Sequence, residues 1–290
     1  MKLIRFGDHG REKAGIQLDS GARKDVSAIV PDWTGAALAD GGIDRVRAAI
    51  DARGANALPD VNAAARTGPC VARPHKIIGI GLNYRDHAAE SGMPIPTEPI
   101  LFLKATSSFS GPYDQIIIPP GSTKTDWEVE LGLVIATTAR HLASPADAAA
   151  HIAGYCVVND VSERAHQLER GGQWTKGKSA DSFTPVGPWL VTPDEAGDVA
   201  NLTMRLRVNG EKRQKGSTST MIFDCATIVH YVSQFMTLEP GDVITTGTPP
   251  GVGHGMKPPQ YLKAGDVVEL EIERLGRQRQ VCVASSQPAG

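Results

Sequence analysis

The sequence predicts an α+β fold in which β-strands dominate, with a small N-terminal domain at residues 1–70 and a larger domain at residues 71–290. From residue 76 onward, apolar runs of strand length follow one another, and few helical patterns lie between them. Strands that do not alternate with helices argue against a doubly wound or barrel α/β fold. A stretch of small and polar residues at 58–74 ends in a proline and is the predicted linker between the two domains.

The N-terminal domain begins with two predicted strands, LIRFG at 3–7 and AGIQL at 14–18, and a turn follows at 19–21. Apolar residues recur at helical spacing in IDRVRAAIDAR, which predicts a helix over 43–53. This domain is therefore expected to combine a small sheet with a helix.

The larger domain holds most of the predicted elements. KIIGIGLN is an apolar run broken by glycines, which is typical of a buried strand near a site. Asn209-Gly210 predicts a hairpin turn. The predicted strands span 76–83, 100–105, 115–120, 127–137, 152–160, 187–192, 203–211, 241–248 and 266–275. The predicted helices span 84–92, 145–152 and 225–236.

The composition is typical of a soluble globular protein without a nucleic-acid or membrane partner. Hydrophobic residues are 41% and charged residues 21% of the chain, values that argue against disorder. A net charge of −2 provides no basic excess for nucleic acid or for an anionic membrane. No apolar run reaches the roughly 18 residues of a membrane span. The start, MKLIRFGDHGREK, turns polar too early for a signal peptide, so we expect a cytoplasmic protein.

The cysteines agree with a reducing compartment. They are far apart in the sequence and form no CxxC pair, which argues against a zinc site of the usual spacing and against a disulfide framework. The four residues are Cys70, Cys156, Cys225 and Cys282.

Acidic residues are concentrated in one predicted strand. Alternation places Asp126, Glu128 and Glu130 on one face of DWEVEL, and like charges at this spacing repel each other. A buried face tolerates such charges only when a cation neutralises them. Asp160 follows another apolar run, and a set of oxygen ligands suits Mg²⁺, Mn²⁺ or Ca²⁺. The alternative is a solvated acidic strand with an ordinary aspartate at the end of another strand.

Three further segments have the character of a site. His87 and Glu90 lie three residues apart on a predicted helix, where the carboxylate can orient the imidazole and a water between them can be deprotonated. The long loop that begins at Gly171 contains Lys178, a candidate partner for a substrate carboxylate or an enolate. The glycines of TTGTPPGVGHG allow backbone N–H groups to approach an anion. The alternatives are a charged surface helix and two solvated loops.

Taken in order, six segments resemble the fumarylacetoacetate hydrolase family. They are GLNYRDHAAE, FLK at 102–104, DWEVELGLVI, NDVSER, TKGKSADSFTPVGPWLVT and TTGTPPGVG, and they cover residues from about 76 to 275. The stretch QLERGGQWTKGKSADSFTPVGPWLVT is most similar to a bacterial branch that includes hydrolases of 2,4-diketo-3-deoxy sugar acids, of the L-rhamnonate or L-fuconate type, and ureidoglycolate lyase-like proteins.

The resemblance implies a mixed β-roll behind a small N-terminal domain, in a protein that is a homodimer. It implies Mg²⁺ or Mn²⁺ held by Glu128, Glu130 and Asp160. Asp126 shares the predicted strand face, but the family pattern uses the two glutamates, so Asp126 is left out of the ligand set.

The resemblance also implies the remaining site residues. The catalytic positions fall on His87 and Glu90, on a lid that orders when substrate binds, and on Lys178. The substrate-binding positions fall on Arg164, Gln167 and Thr248. Related members often carry GKGCDTFGPIGP where this chain has GKSADSFTPVGP at 177–188, a difference that leaves the substrate's identity open.

The chemistry that the resemblance implies is hydrolysis of a 2,4-diketo acid, such as an acylpyruvate or a 2,4-diketo-3-deoxy sugar acid. The substrate's carboxylate and 2-keto oxygen would bind the metal, and the His87–Glu90 pair would deprotonate a water that attacks C4. Cleavage of the C3–C4 bond would release the enolate of pyruvate, which Lys178 and the metal stabilise.

Other reactions remain open on the same site. They are decarboxylation of a β-keto acid such as oxaloacetate, keto–enol isomerisation and ureidoglycolate cleavage. A ligand-binding protein that has lost catalysis is the non-enzymatic alternative, which a metal titration would separate from an enzyme.

Overall fold

The computed structural model describes residues 1–90 and 92–286, so Ser91 of the predicted helix 84–92 and the last four residues lie outside the described part. Strands dominate, which confirms the predicted α+β class. No helix in the described chain is both long and apolar enough to cross a membrane.

Strands occur from Lys2 near the N-terminus to Ala284 near the end of the described chain. In chain order they are β1 (Lys2–Phe6), β2 (Lys13–Gln17), β3 (Arg23–Asp25), β4 (Ile77–Gly81), β5 (Ile100–Lys104), β6 (Phe109–Ser110), β7 (Ile116–Ile118), β8 (Thr125–Asp126), β9 (Val129–Ile135), β10 (Ile152–Asn159), β11 (Ser162–Glu163), β12 (Thr184–Val191), β13 (Thr203–Val208), β14 (Glu211–Ser217), β15 (Val243–Thr245), β16 (Val267–Ile272) and β17 (Gly276–Ala284).

The helices are short. The α-helices are α1 (Gly35–Ala39), α2 (Gly42–Arg53), α3 (Arg85–Glu90), α4 (Arg164–Leu168), α5 (Thr175–Lys178), α6 (Pro193–Ala196) and α7 (Cys225–Ser233). The 3₁₀-helices are Ala55–Ala57, Thr106–Ser108, Pro145–His151, Thr218–Thr220 and Gly253–Gly255. The helix predicted at 145–152 is therefore a 3₁₀-helix, and it begins with a capping box between Ser144 and Asp147.

The main sheet has the order β3-β2-β1-β12-β10-β9-β15-β4-β5. Most neighbours are antiparallel, but β15 and β4 are parallel. The central strand β9 is buried along its whole length, as expected of the apolar run GLVI. By alternation, Leu131 and Leu133 face one side of the sheet, while Glu130 and Val134 face the other.

Each side of β9 faces a separate core. Leu131 and Leu133 pack in the first core, which includes Met204, Leu206 and Leu270 from a second sheet of order β14-β13-β16-β17-β7. The hairpin predicted at Asn209-Gly210 joins β13 to β14 and is confirmed.

The second core joins the N-terminal residues to the main sheet. Val134, Val158 and Leu190 of the main sheet pack there with side chains of the N-terminal part, including Trp33. Strand β1 pairs with β12, so the strands of residues 1–70 continue the main sheet. The division at residue 70 stays a prediction.

The strand predicted at 127–137 is shorter in the structure, where β9 spans Val129–Ile135. Asp126 ends β8, which pairs with β11, and β9 begins only at Val129. The alternation had placed Asp126, Glu128 and Glu130 on one strand. In the structure Asp126 belongs to β8 and Glu130 to β9, and Glu128 lies between these strands, so this prediction is wrong.

Candidate metal centre

Three buried carboxylates meet where β9 and β10 lie side by side. Val158 pairs with Glu130, and the Asp160 N–H donates to the Glu128 carbonyl oxygen at 2.9 Å, so Asp160 lies opposite Glu128. Glu128, Glu130 and Asp160 each offer an oxygen within 4.8 Å of the others. The structure thus brings together the three residues that the sequence analysis proposed as metal ligands.

Basic side chains lie against this cluster. The Lys178 ammonium donates to Glu128 Oε2 and to Asp160 Oδ2, both at 2.6 Å. Lys104 Nζ donates to Asp160 Oδ1 at 2.5 Å, and Arg164 Nη2 donates to Glu128 Oε1 at 2.7 Å. All three basic residues are buried.

The charges act differently on the two glutamates. Burial by itself raises the pKa of Glu128, but Lys178 and Arg164 outweigh it and hold the pKa at about 2. Glu130 lies close to two other carboxylates, and burial followed by repulsion from Asp160 and Glu128 raises its pKa well above the ordinary value. Burial also lowers the pKa of Lys104.

Glu130 is held by neutral donors. Its Oε2 accepts the Gly247 N–H at 2.7 Å and a short hydrogen bond from the Thr245 hydroxyl. The site therefore presents buried carboxylate oxygens, and repulsion among the carboxylates disfavours the charged form of Glu130 until a cation binds. Such a donor set fits a hard divalent cation such as Mg²⁺ or Mn²⁺.

The His–Glu pair is also assembled. His87 Nδ1 lies 3.1 Å from Glu90 Oε2, and the two side chains are 13% and 29% exposed. The Gly251 N–H donates to both Glu90 oxygens, at 3.1 and 3.2 Å. Glu90 is thus fixed by the loop that follows β15, while it orients the imidazole.

The residues predicted to bind substrate lie in two places. Arg164 Nη1 donates to Gln167 Oε1 at 2.9 Å beside the carboxylates, and both residues are buried. The Thr248 hydroxyl donates to the Val129 carbonyl oxygen at 3.0 Å and accepts from Gln214 Nε2 at 2.8 Å. Its substrate-binding role stays a prediction.

Sequence reasoning gave no role to Lys104 or Gln214. Lys104 belongs to FLK, one of the six segments that carry the family resemblance, so the sequence did indicate that it lies near the site. Gln214 is fully buried, donates to the Pro249 carbonyl oxygen at 2.7 Å and accepts the Val129 N–H at 2.9 Å. Gln214 therefore links β9 to the loop after β15. It lies in the polar strand β14, which belongs to none of the segments that carry the family resemblance.

Comparisons with known proteins relate the chain to one family. Residues 76–283 match the family model described as fumarylacetoacetate (FAA) hydrolase, C-terminal. A Burkholderia ambifaria protein, provisionally named a hydrolase, is 57% identical over 281 residues, which cover 97% of this chain and 98% of the relative.

Two solved structures share the fold over nearly the whole chain. Fumarylacetoacetate hydrolase from Exiguobacterium antarcticum has a TM-score of 0.84 at 39% identity and covers 98% of this chain and 100% of its own. Maleylpyruvate hydrolase from Sphingobium sp. SYK-6, in complex with manganese(II) and pyruvate, has a TM-score of 0.80 at 29% identity, with coverages of 99% and 100%.

Proposed function

The chain belongs to the fumarylacetoacetate hydrolase family, and from this premise we propose that it is a metal-dependent hydrolase of 2,4-diketo acids. The substrate is an acylpyruvate or a 2,4-diketo-3-deoxy sugar acid. Cleavage of its C3–C4 bond gives pyruvate and a carboxylic acid. The manganese(II) and pyruvate in the maleylpyruvate hydrolase complex support this substrate class.

One observation favours hydrolysis over decarboxylation, namely the assembled His87–Glu90 pair. Decarboxylation of a β-keto acid needs no activated water, whereas hydrolysis needs a base. Because Nδ1 faces Glu90, the ring proton is assigned to Nδ1, and Nε2 is left to accept a proton from water. Glu90 then stabilises the imidazolium that forms.

The buried groups around the cluster have complementary tasks. A divalent cation held by Glu128, Glu130 and Asp160 supplies Lewis-acid stabilisation of negative charge on the substrate when it is bound. Lys178 provides a second, fixed positive charge beside Glu128 and Asp160 for the developing enolate. We assign to Arg164 and Gln167, which lie beside the carboxylates, the orientation of the substrate carboxylate.

The proposal is tested with purified protein, Mn²⁺ and acetylpyruvate as the probe. We expect wild-type protein to bind Mn²⁺, measured by electron paramagnetic resonance, and to release pyruvate and acetate in equal amounts. Glu128→Ala should lose Mn²⁺ binding and activity together. His87→Ala should retain Mn²⁺ and oxalate binding and lose hydrolysis, typically by about 100-fold or more.

Glu163→Ala is the matched control for folding, since Glu163 is buried in β11 and accepts from the Thr125 hydroxyl at 2.9 Å. It should keep Mn²⁺ binding. Hydrolysis by the Glu128→Ala variant at the wild-type rate would show that the assignment of Glu128 as a metal ligand is wrong. Release of CO₂ from oxaloacetate, with no pyruvate from any acylpyruvate or diketo sugar acid offered, would favour the decarboxylase instead.

A further inference from the structure

Asp126 is a fully buried carboxylate that lies outside the metal cluster and has no part in the chemistry described above. Its Oδ1 accepts the N–H groups of Trp127 at 2.8 Å and Gly253 at 2.7 Å. Its Oδ2 accepts from Arg164 Nε at 2.8 Å and from the His254 N–H at 2.9 Å. Three of these four donors are backbone N–H groups, so both oxygens of Asp126 are held by the main chain and by Arg164.

Two of these donors belong to the loop of residues 247–254, here called the glycine loop. The same loop donates Gly247 N–H to Glu130 at 2.7 Å and Gly251 N–H to Glu90 at 3.1 Å. One short segment thus contacts a metal-binding carboxylate, the acid–base pair and Asp126. The position of Glu90 relative to the metal centre depends on how firmly this loop is held.

The glycine loop is closely packed at the point where Asp126 holds it. A Cβ on Gly253 would lie 2.8 Å from Asp126 Oδ1 and 2.0 Å from the Gln260 carbonyl oxygen. Gly251 has φ of +102°, and a Cβ there would lie 2.1 Å from the Arg213 carbonyl oxygen. A side chain at Gly253 would force the loop away from Asp126, and one at Gly251 would force it away from Arg213, so the loop has little freedom while these contacts persist.

We propose that Asp126 is a positioning residue, which fixes the glycine loop and through it sets Glu90 and His87 against the metal centre. The inference rests on the proposed function, because it assigns the His87–Glu90 pair to the attack of water. Asp126 has a second contact that points the same way: its bond to Arg164 links the loop to Glu128, to which Arg164 also donates.

Asp126→Asn tests the proposal with almost no change in volume. The amide has one acceptor oxygen, and its NH₂ group takes the place of the other oxygen. That NH₂ group then faces two N–H donors whose hydrogen bonds the carboxylate oxygen had accepted. Arg164 keeps its contacts with Glu128 and Gln167, so substrate binding is affected less than the loop. At saturating Mn²⁺ we expect kcat for acetylpyruvate to fall about 100-fold, the size of effect that a misplaced catalytic group causes. KM and the dissociation constant of oxalate should change less than about threefold.

A second measurement does not depend on activity. Hydrogen exchange followed by mass spectrometry should show faster exchange in the Asp126→Asn variant, both in residues 247–256 and in residues 84–90. The matched control is Asp242→Asn. Asp242 is equally buried, accepts the N–H groups of Lys76 and Glu239 at 2.9 and 2.7 Å, and pairs with the Lys76 ammonium. It precedes β15 at the opposite end from the glycine loop, so its variant should keep wild-type exchange in both segments.

The outcomes separate this inference from the proposed function. Unchanged exchange in residues 84–90, or a kcat within about threefold of wild type, would overturn the positioning role. An equal loss in the Asp242→Asn variant would also overturn it, because the effect would then be one of general stability. If wild-type protein hydrolyses no diketo acid while exchange rises in both segments as expected, the proposed reaction is wrong and the structural role of Asp126 remains.

Discussion

Lys178 lies between two of the carboxylates that would hold a metal ion. Burial by itself lowers the pKa of Lys178, but Asp160 and Glu128 outweigh burial and raise it. The side chain is therefore a buried ammonium whose charge depends on its acidic neighbours. This ammonium neutralises two of the three carboxylates that would hold the ion.

A variant of this residue should separate metal binding from catalysis. We expect Lys178→Met to bind Mn²⁺ about tenfold more tightly, a change of about 1.4 kcal/mol, because a competing charge is removed. In the same variant kcat should fall by about 100-fold or more, since the enolate loses its fixed positive charge. Titration calorimetry and initial rates at saturating Mn²⁺ measure the two effects.

Lys176 provides the control for this experiment. It is exposed in the same short helix, and its ammonium bonds to the Arg170 carbonyl oxygen. Lys176→Met should leave both quantities near wild type. Weaker Mn²⁺ binding in the Lys178→Met variant would mean that the lysine holds the carboxylates in place rather than competing with the ion.

The acidic residues of the site could be found from the sequence, because carboxylates in an apolar strand pattern break the pattern. Gln214 could not be found in this way. An uncharged side chain in a polar strand does not interrupt the sequence pattern. Its three hydrogen bonds to β9 and to the loop after β15 form only when segments distant in sequence meet. Asp126 was noticed as an acidic residue, but its bonds to the glycine loop could not be predicted, because that loop lies far from it in sequence.

At the scale of elements, two segments that sequence reasoning missed, β14 and the first half of β17, are polar on both faces. In β17 the inward positions include Gln278 and Gln280, which are buried and donate to backbone carbonyl oxygens of Val157 and Pro112 at 2.7 and 2.6 Å. Period-two alternation of apolar and polar residues cannot appear when both faces carry polar side chains. Strands β9, β10 and β16 contain the apolar residues that such patterns need, and they were predicted.

A buried charge cluster joins elements of the N-terminal part. Glu12, whose side chain is only 5% exposed, pairs with Arg5 of β1 at 3.3 Å and with Arg66 at 2.8 Å. Burial by itself raises the pKa of Glu12, but the hydrogen bond from Arg66 and the charge of Arg5 outweigh it and lower the pKa. The carboxylate therefore stabilises the folded state in its charged form.

This contribution should depend on pH. A carboxyl whose pKa is lowered by folding stabilises the protein above its unfolded pKa, and the stabilisation is lost as the pH falls through the folded pKa. We expect Glu12→Gln to lower the free energy of unfolding by about 1–2 kcal/mol at about pH 7, and by less toward about pH 4. Urea denaturation at both pH values measures the difference.

Asp19→Asn serves as the comparison, since this carboxylate pairs with Lys2 on the surface and is 88% exposed. It should change the stability little at either pH. A Glu12→Gln effect that grew as the pH fell would contradict the assigned direction of the pKa shift.

At the scale of the whole molecule, the expected fold class is confirmed, and the TM-score of 0.84 extends it to the family's fold. Composition and element order were sufficient for the class, since they depend on local pattern. They did not predict that β1 would pair with β12, because the choice of partner among many strands is set by packing across the second core. The linker at 58–74 stays a prediction, and the continuity of the sheet between the two parts was not predicted from the sequence.

The metal centre and the second core share one face of the main sheet, because Glu130 and Val134 point to the same side of β9. Removal of residues 1–70 would uncover this face, exposing Val134, Val158 and Leu190, together with Val186 and Val243. Full burial of such a side chain is worth about 1.5–3 kcal/mol, so the loss is on the order of 10 kcal/mol, comparable with the whole stability of a domain. It would also leave β12 with an unpaired edge, a template for aggregation.

We therefore expect the fragment 71–290 to aggregate or to unfold, and to bind no Mn²⁺, when expressed alone. Analytical ultracentrifugation, circular dichroism and a Mn²⁺ titration measure these properties. Addition of the fragment 1–70 should restore a soluble complex that binds Mn²⁺, because the two parts meet through one core and one strand pair. A soluble, cooperatively folded 71–290 fragment with wild-type Mn²⁺ affinity would show instead that the two domains fold independently, and that the second core adds to a catalytic domain already stable without it.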